Sequence, residues 1–207
     1  MKKMLCVMVT MCVLIAGCQS GSKCEQAGWQ DLFDGKTLQG WKPSENIKSF
    51  TVKDGMITAD GGRSHLFYVG PVNNADFTNF EFKADVMTMP GANSGLYFHT
   101  KFQSSDWPSQ GFEAQVNNTY ASDPRKTGSL YGIADVLTAP AKDNEWFTER
   151  IIVTGKRVVI KINDKTVVDY TEPSDAKKKL SHGTFALQCH DPKSKVCFKN
   201  IMVKPLP

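Results

Sequence analysis

The stretch FTERIIVTGKRVVIKINDKTVVDYT, residues 147–171, decides the fold class. It divides into three runs, Phe147 to Thr154, Arg157 to Asn163 and Lys165 to Thr171, in which apolar and polar side chains tend to alternate. A β-strand sends successive side chains to opposite faces, so alternation gives each run one face over a core and one face outward. Between the last two runs stands Asn163-Asp164, a pair that tolerates the left-handed backbone of a tight hairpin turn.

The same period extends in both directions along the chain. Further runs lie near Phe50 to Val52, Met56 to Ala59, Leu66 to Val69, Phe80 to Met89, Gly95 to Phe102, Phe112 to Val116, Ser129 to Ile133, Gly183 to His190 and Val196 to Lys204, with Asp54-Gly55 a second tight-turn pair. Gly, Asn, Asp and Pro punctuate them, no long segment has a helical period, and no internal repeat is visible. At 207 residues the chain has the length of one large all-β domain. Many short strands at regular spacing predict a sandwich or jelly roll, in which two antiparallel sheets share an apolar interior.

The first residues stand apart from this domain. Lys2 and Lys3 precede an apolar run from Met4 to Ile15, and the sequence Ile-Ala-Gly-Cys closes it at Cys18. The run is too short to span a bilayer and reads as an export signal over residues 1–17. Its ending resembles a bacterial lipobox, which implies cleavage before Cys18 and acylation of that cysteine. A Ser/Gly/Gln-rich tether occupies 18–28 and the domain 29–207. The expected anchorage is therefore a membrane, in the bacterial cell envelope at the outer membrane.

Nucleic acid is an unsuitable partner. The formal charge is only +4, two units of which are the signal's Lys2 and Lys3, and apart from Lys177 to Lys179 the lysines are scattered. Within the domain only Cys189 and Cys197 remain. A hairpin through HDPKSKV would set them opposite each other for a disulfide; two buried free thiols fit equally well.

The stretch GFEAQVNN, residues 111–118, places Phe112, Ala114 and Val116 on one face and Glu113, Gln115 and Asn117 on the other. In SGLYFHTKF, residues 94–102, strict alternation groups Leu96, Phe98, Thr100 and Phe102, leaving Tyr97, His99 and Lys101 opposite. Tyr131 opposes Leu130, and Gln188 and His190 oppose Phe185, Leu187 and Cys189. The outer face of an antiparallel sheet is ordinarily solvated. These rows are rich in His, Tyr and amides instead, which suits sugars: a pyranose C–H face packs on Tyr while amides pair with hydroxyls.

The chemical candidates are Glu113, His99, His190 and Tyr131, with Tyr97, Lys101, Gln115, Asn117 and Gln188 as substrate contacts. Conventional glycoside hydrolysis needs two carboxylates. Here Glu113 is followed on its face by Gln115, so a second acid would come from a loop, from Asp106, Asp123, Asp135 or Asp191. His99 and His190 suit acid–base chemistry, since histidine titrates near neutral pH. Two histidines and a carboxylate also fit a facial site for a divalent metal ion, although no CxxC or His-rich run demands one.

Taken in order, LFDGKTLQGW, NSGLYFHT, GFEAQV, TGSLYGI, EWFTERIIVTGKRVVIKINDKTVVDYTEP and FALQCHDPKSKVCFKNIMVKPL resemble the 3-keto-disaccharide hydrolase domain, also described as 3-keto-glucoside 1,2-lyase and 3-keto-2-hydroxyglucal hydratase. The resemblance runs from about Trp29 to the C-terminus. It implies a concanavalin-like jelly roll, lipoprotein export, and a substrate already oxidised at C3, a 3-keto oligosaccharide or glucoside. A C3 ketone acidifies the C2 proton, so one base suffices to eliminate the glycosidic oxygen from C1, and water then adds to the enone. Glu113 matches the family's Glu-x-Gln strand, and Gln188 with His190 its Gln-x-His strand. Cys189 and the DPKSKVC loop depart from the pattern. A lectin-like module using the same groove without catalysis and a structural lipoprotein are the competing expectations.

Overall fold

The computed structural model describes residues 27–207; the expected signal, Cys18 and nearly all of the tether lie outside the described residues. The strands are β1 (Gln30–Asp31), β2 (Trp41–Pro43), β3 (Phe50–Lys53), β4 (Met56–Asp60), β5 (Ser64–Tyr68), β6 (Phe80–Thr88), β7 (Ser94–Thr100), β8 (Phe112–Val116), β9 (Phe147–Thr154), β10 (Arg157–Ile162), β11 (Lys165–Thr171), β12 (Thr184–Cys189) and β13 (Lys195–Pro205). Two antiparallel sheets form a jelly-roll sandwich. One has the order β11-β10-β9-β6-β13-β4-β3, with β1 also paired to β13; the other has the order β2-β5-β12-β7-β8.

The predicted turns close two of the hairpins. Asp54 and Gly55 join β3 to β4, and Asn163 and Asp164 join β10 to β11, all four with positive φ. The core lies between the sheets, where Phe185 of β12 stacks on Phe82 of β6 with ring centroids 4.2 Å apart and meets Phe80 edge-on at 4.9 Å. Burying one such ring stabilises the fold by about 1.5–3 kcal/mol.

The two sheets differ in what covers their outer faces. Along β6, buried Phe80, Phe82, Ala84 and Val86 alternate with partly exposed residues, as expected of a sheet wetted on one side. In β5, β7 and β12 every residue is buried, so loops cover the second face as well. Residues 101–111 form one such cover, a strap in which Phe102 packs on Phe67 at 5.4 Å and Trp107 on His65 at 5.7 Å. Arg63 pins it, binding Asp106 at 3.1 Å and Glu45 at 2.9 Å. The chain enters on the far side of the sandwich, where Lys83 and Arg150 of the larger sheet's outer face lie against the Trp29 ring.

Three expectations are corrected. Ser129 to Ile133 is not a strand: only Leu130 bridges Ala114, while amide bonds between the 127–131 segment and β8 cover that sheet edge. The short strands β1 and β2 escape the pattern because two or three residues carry no period, and Pro43 is tolerated in β2 only because it is an edge strand. Finally, β12 and β13 belong to different sheets, so HDPKSKV is a crossover and not a hairpin; Cys189 and Cys197 are free, buried thiols.

Candidate active site

The floor of the site is the outer face of the five-stranded sheet. Register sets His65 opposite Gln188, Gly95 opposite Gln115, and Tyr97 opposite Glu113. A Cβ at Gly95 would stand 2.2 Å from Glu113 Oε1, so the missing side chain is what lets the carboxyl lie across β7. There Glu113 Oε2 accepts the Tyr97 hydroxyl at 2.8 Å and Oε1 accepts the Gln188 amide at 3.0 Å. The same amide nitrogen donates to Tyr97 Oη at 3.1 Å.

Burial dominates the titration of Glu113. It pushes the carboxyl up to about 7, and the hydrogen bonds from Tyr97 and Gln188 offset it only in part. Burial and the adjacent carboxylate raise the Tyr97 hydroxyl far enough that it remains a donor.

The walls come from loops. Tyr131 donates its hydroxyl to Asp123 Oδ2 at 2.7 Å, with the Arg125 guanidinium 4.6 Å from the tyrosine ring. Burial alone would raise Asp123, but the Arg125 amide, the Tyr131 hydroxyl and the Arg125 charge together hold it below the usual range. On the other side His190 Nδ1 lies 2.7 Å from Asp191 Oδ2. Burial likewise opposes ionisation of Asp191, yet His190, the Lys193 amide and Ser194 outweigh it and keep the carboxyl low. An ionised Asp191 makes Nδ1 the donor, which leaves Nε2 as the ring's free acid–base atom. Trp107, 5.1 Å from the His190 ring, completes the wall.

The resulting cleft has a volume of about 280 Å³. Three buried side-chain atoms of its lining have no partner in the protein: Asn93 Oδ1, Gln115 Nε2 and Gln188 Oε1. Leaving buried polar atoms unpaired is costly. Two acceptors and one donor around a carboxyl are the groups that can pair with the hydroxyls of a ligand in this cleft.

Six of the nine expected site residues converge here: Glu113, Tyr97, Gln115, Gln188, His190 and Tyr131. Three do not. His99 has φ 51°, and this left-handed residue breaks the alternation of β7 at a register shift against β12. Its ring turns to the core side, 5.6 Å from Phe80, with Nε2 2.9 Å from the Thr78 carbonyl, and burial lowers its pKa. Lys101, beyond the same irregularity, lines a different cleft with Phe102. Asn117 is buried and donates its amide to the carbonyls of Tyr120, Asp123 and Arg125, so it shapes the loop that carries Asp123.

With His99 removed, the two-histidine, one-carboxylate metal set is not assembled, and among the described residues no three His, Cys, Asp or Glu side chains are placed to hold a metal ion. The strand pattern missed Trp107, Asn93 and His65. Trp107 was the most legible of them, an aromatic isolated among Ser, Asp and Pro in a loop. His65 is fully buried against Tyr97 and Trp107 with both ring nitrogens unpartnered, and burial pushes its pKa down to about 4.

Comparison with solved structures gives the same architecture. A protein from Parabacteroides distasonis assigned as a glycosyl hydrolase superposes with a TM-score of 0.74 at 24% identity, covering 88% of this chain and 96% of its own. A second from the same organism has a TM-score of 0.68 at 22% identity, covering 86% and 99%. A carbohydrate-binding module from Bacillus subtilis has a TM-score of 0.57 at 16% identity, covering 80% and 95%. No curated protein matches the chain. The family model that does match covers residues 28–204, and on that match the chain belongs to the 3-keto-alpha-glucoside-1,2-lyase-like domain family.

Proposed function

We propose that the protein cleaves 3-keto-glucosides by abstracting the C2 proton and eliminating the glycosidic oxygen from C1, with rehydration of the enone giving net hydrolysis. The observation that carries this reading is Glu113, a carboxyl raised to about 7 and held between Tyr97 and Gln188 in a cleft lined with unpartnered polar atoms. A carboxylate of ordinary pKa is a weak base toward carbon, and raising the pKa strengthens it. In this scheme Glu113 takes the C2 proton and Gln115 Nε2, unpartnered in the protein, donates to the developing C3 enolate oxygen, while Tyr131, its hydroxyl held by Asp123, offers its ring to the sugar. His190, entering the step as the imidazolium, then delivers its Nε2 proton to the departing oxygen and is left as the neutral ring with Nδ1–H on Asp191. We further propose that the protein works in the bacterial cell envelope, anchored by lipid on Cys18.

One observation favours a second reading. Asp123 and Glu113 share the cleft with their pKa values moved apart, the arrangement of a conventional two-carboxylate glycosidase acting on unoxidised sugar. Turnover of a 3-keto-glucoside in D₂O distinguishes the two. Elimination and hydration place solvent deuterium at C2, whereas the conventional route leaves C2 untouched and cleaves the plain glucoside. Absence of cleavage with either substrate, alongside saturable binding, would instead make the cleft a lectin-like site.

A further inference from the structure

A second cleft of about 450 Å³ opens at the other end of the five-stranded sheet, where β5 and β7 end and β12 begins. Its floor includes Thr100, a fully buried residue whose Oγ1 has no partner in the protein. On one side is Phe102, 38% exposed, edge-on to Phe67 and beneath the Lys42 ammonium at 3.8 Å. On the other is the His182–Asp76 pair, with Nδ1 and Oδ1 2.7 Å apart.

The backbone around this cleft is strained. Asn73, Asn74 and Ala75 follow one another with φ 48°, 54° and 55°, the last two on its rim, a conformation that is unfavourable for alanine. Gly183 comes so near β7 that a Cβ there would stand 2.4 Å from the Thr100 carbonyl oxygen.

We propose that this cleft is a carbohydrate subsite holding a ring of the same glycoside remote from the one that reacts at Glu113. An aromatic edge beside an unpaired hydroxyl and a carboxylate–imidazole pair offers a C–H face and mixed hydrogen bonding, which is what a neutral sugar ring presents. Both clefts lie over the same sheet, since Phe67, under Phe102, packs beneath it with Ala186 and with Tyr97 of the first cleft's lining. Thr184, which lines the second cleft, is four positions along β12 from Gln188, and four strand residues span about 13 Å. That separation exceeds one ring, so the subsite engages chains longer than a disaccharide. The proposal rests on the function above only in assuming that one glycoside enters both clefts.

Calorimetric titration with unoxidised gluco-oligosaccharides, from disaccharide to hexasaccharide, tests it without any chemistry. Affinity should rise with chain length in the unmodified protein. Phe102→Ala should weaken binding of the longer chains roughly fivefold to tenfold, and leave the disaccharide unchanged. Thr100→Val, which conserves shape, should weaken the longer chains in the same selective way, and Glu113→Gln should preserve the length dependence. Affinity independent of length, or a length dependence that survives both Phe102→Ala and Thr100→Val, overturns the subsite. Because the probes carry no C3 ketone, failure of proton abstraction at Glu113 leaves this result standing, and the reverse also holds.

Discussion

At the scale of single residues, the raised carboxyl of Glu113 sets the expected pH dependence. As a base it must lose its proton, so the acidic limb of kcat/KM on a 3-keto-glucoside should rise with pH up to about 7. If Glu113 served as the general acid of a two-carboxylate hydrolase, the limb would slope the other way. Glu113→Gln retains the shape and both neighbours; it should lower the rate roughly 10²–10⁴-fold, remove the limb and still bind substrate, as single-turnover kinetics and titration would report. Glu149 makes a different prediction. It lies on the inner face of β9 with Phe147, Ile151 and Val153, fully buried, both oxygens unpaired, and burial raises its pKa well above the usual value. Below the unfolded pKa both states are protonated and nothing is lost; as pH rises past it the unfolded chain ionises first, so stability falls. Glu149→Met should therefore stabilise the protein at pH 8 by about 1–3 kcal/mol, with a smaller gain at pH 4, and equal gains at both pH values would exclude ionisation as the cause. The position of Glu113 was legible because alternation alone sets it apart from the core. The fate of His99 was not, since one left-handed residue reverses every side chain after it and the sequence carries no mark of that φ.

At the scale of elements, the strands were readable and their covers were not. β8, β9 and β11 begin and end where the alternation does, because pleat and burial share one period. The strap over residues 101–111 has no period, and its position is fixed by Arg63, Asp106 and Glu45, far apart in sequence. Its contribution to the cleft is the exposed side of Trp107, which forms a wall. Trp107→Ala should raise KM for a 3-keto-glucoside roughly fivefold to tenfold with a smaller change in kcat, measured by steady-state kinetics beside a thermal melt. A fall in kcat with KM unchanged would mean that the indole acts on the transition state instead of holding substrate. Two candidate acids that sequence left unranked, Asp123 and Asp191, are sorted by these same loops, one beside Tyr131 and the other beneath His190.

At the scale of the whole molecule, two antiparallel sheets around one interior were legible from strand number and spacing, whereas the partition of strands between them was not. Nothing local distinguishes a hairpin from a crossover at HDPKSKV, so the separation of Cys189 from Cys197 emerges only when β12 and β13 are seen in different sheets. Anchorage gives a prediction at this scale. No helix among the described residues is long and apolar enough to cross a membrane. If the proposed lipid on Cys18 is the anchor, Cys18→Ala should release the protein from the membrane fraction or block processing; tight membrane attachment of a cleaved variant would refute it. The entry of the chain at Trp29, against the outer face of the larger sheet, has a practical corollary, because the active-site cleft opens on the opposite side of the sandwich. A bead or sensor surface coupled through the Trp29 side stands behind the cleft and leaves its mouth facing the solution.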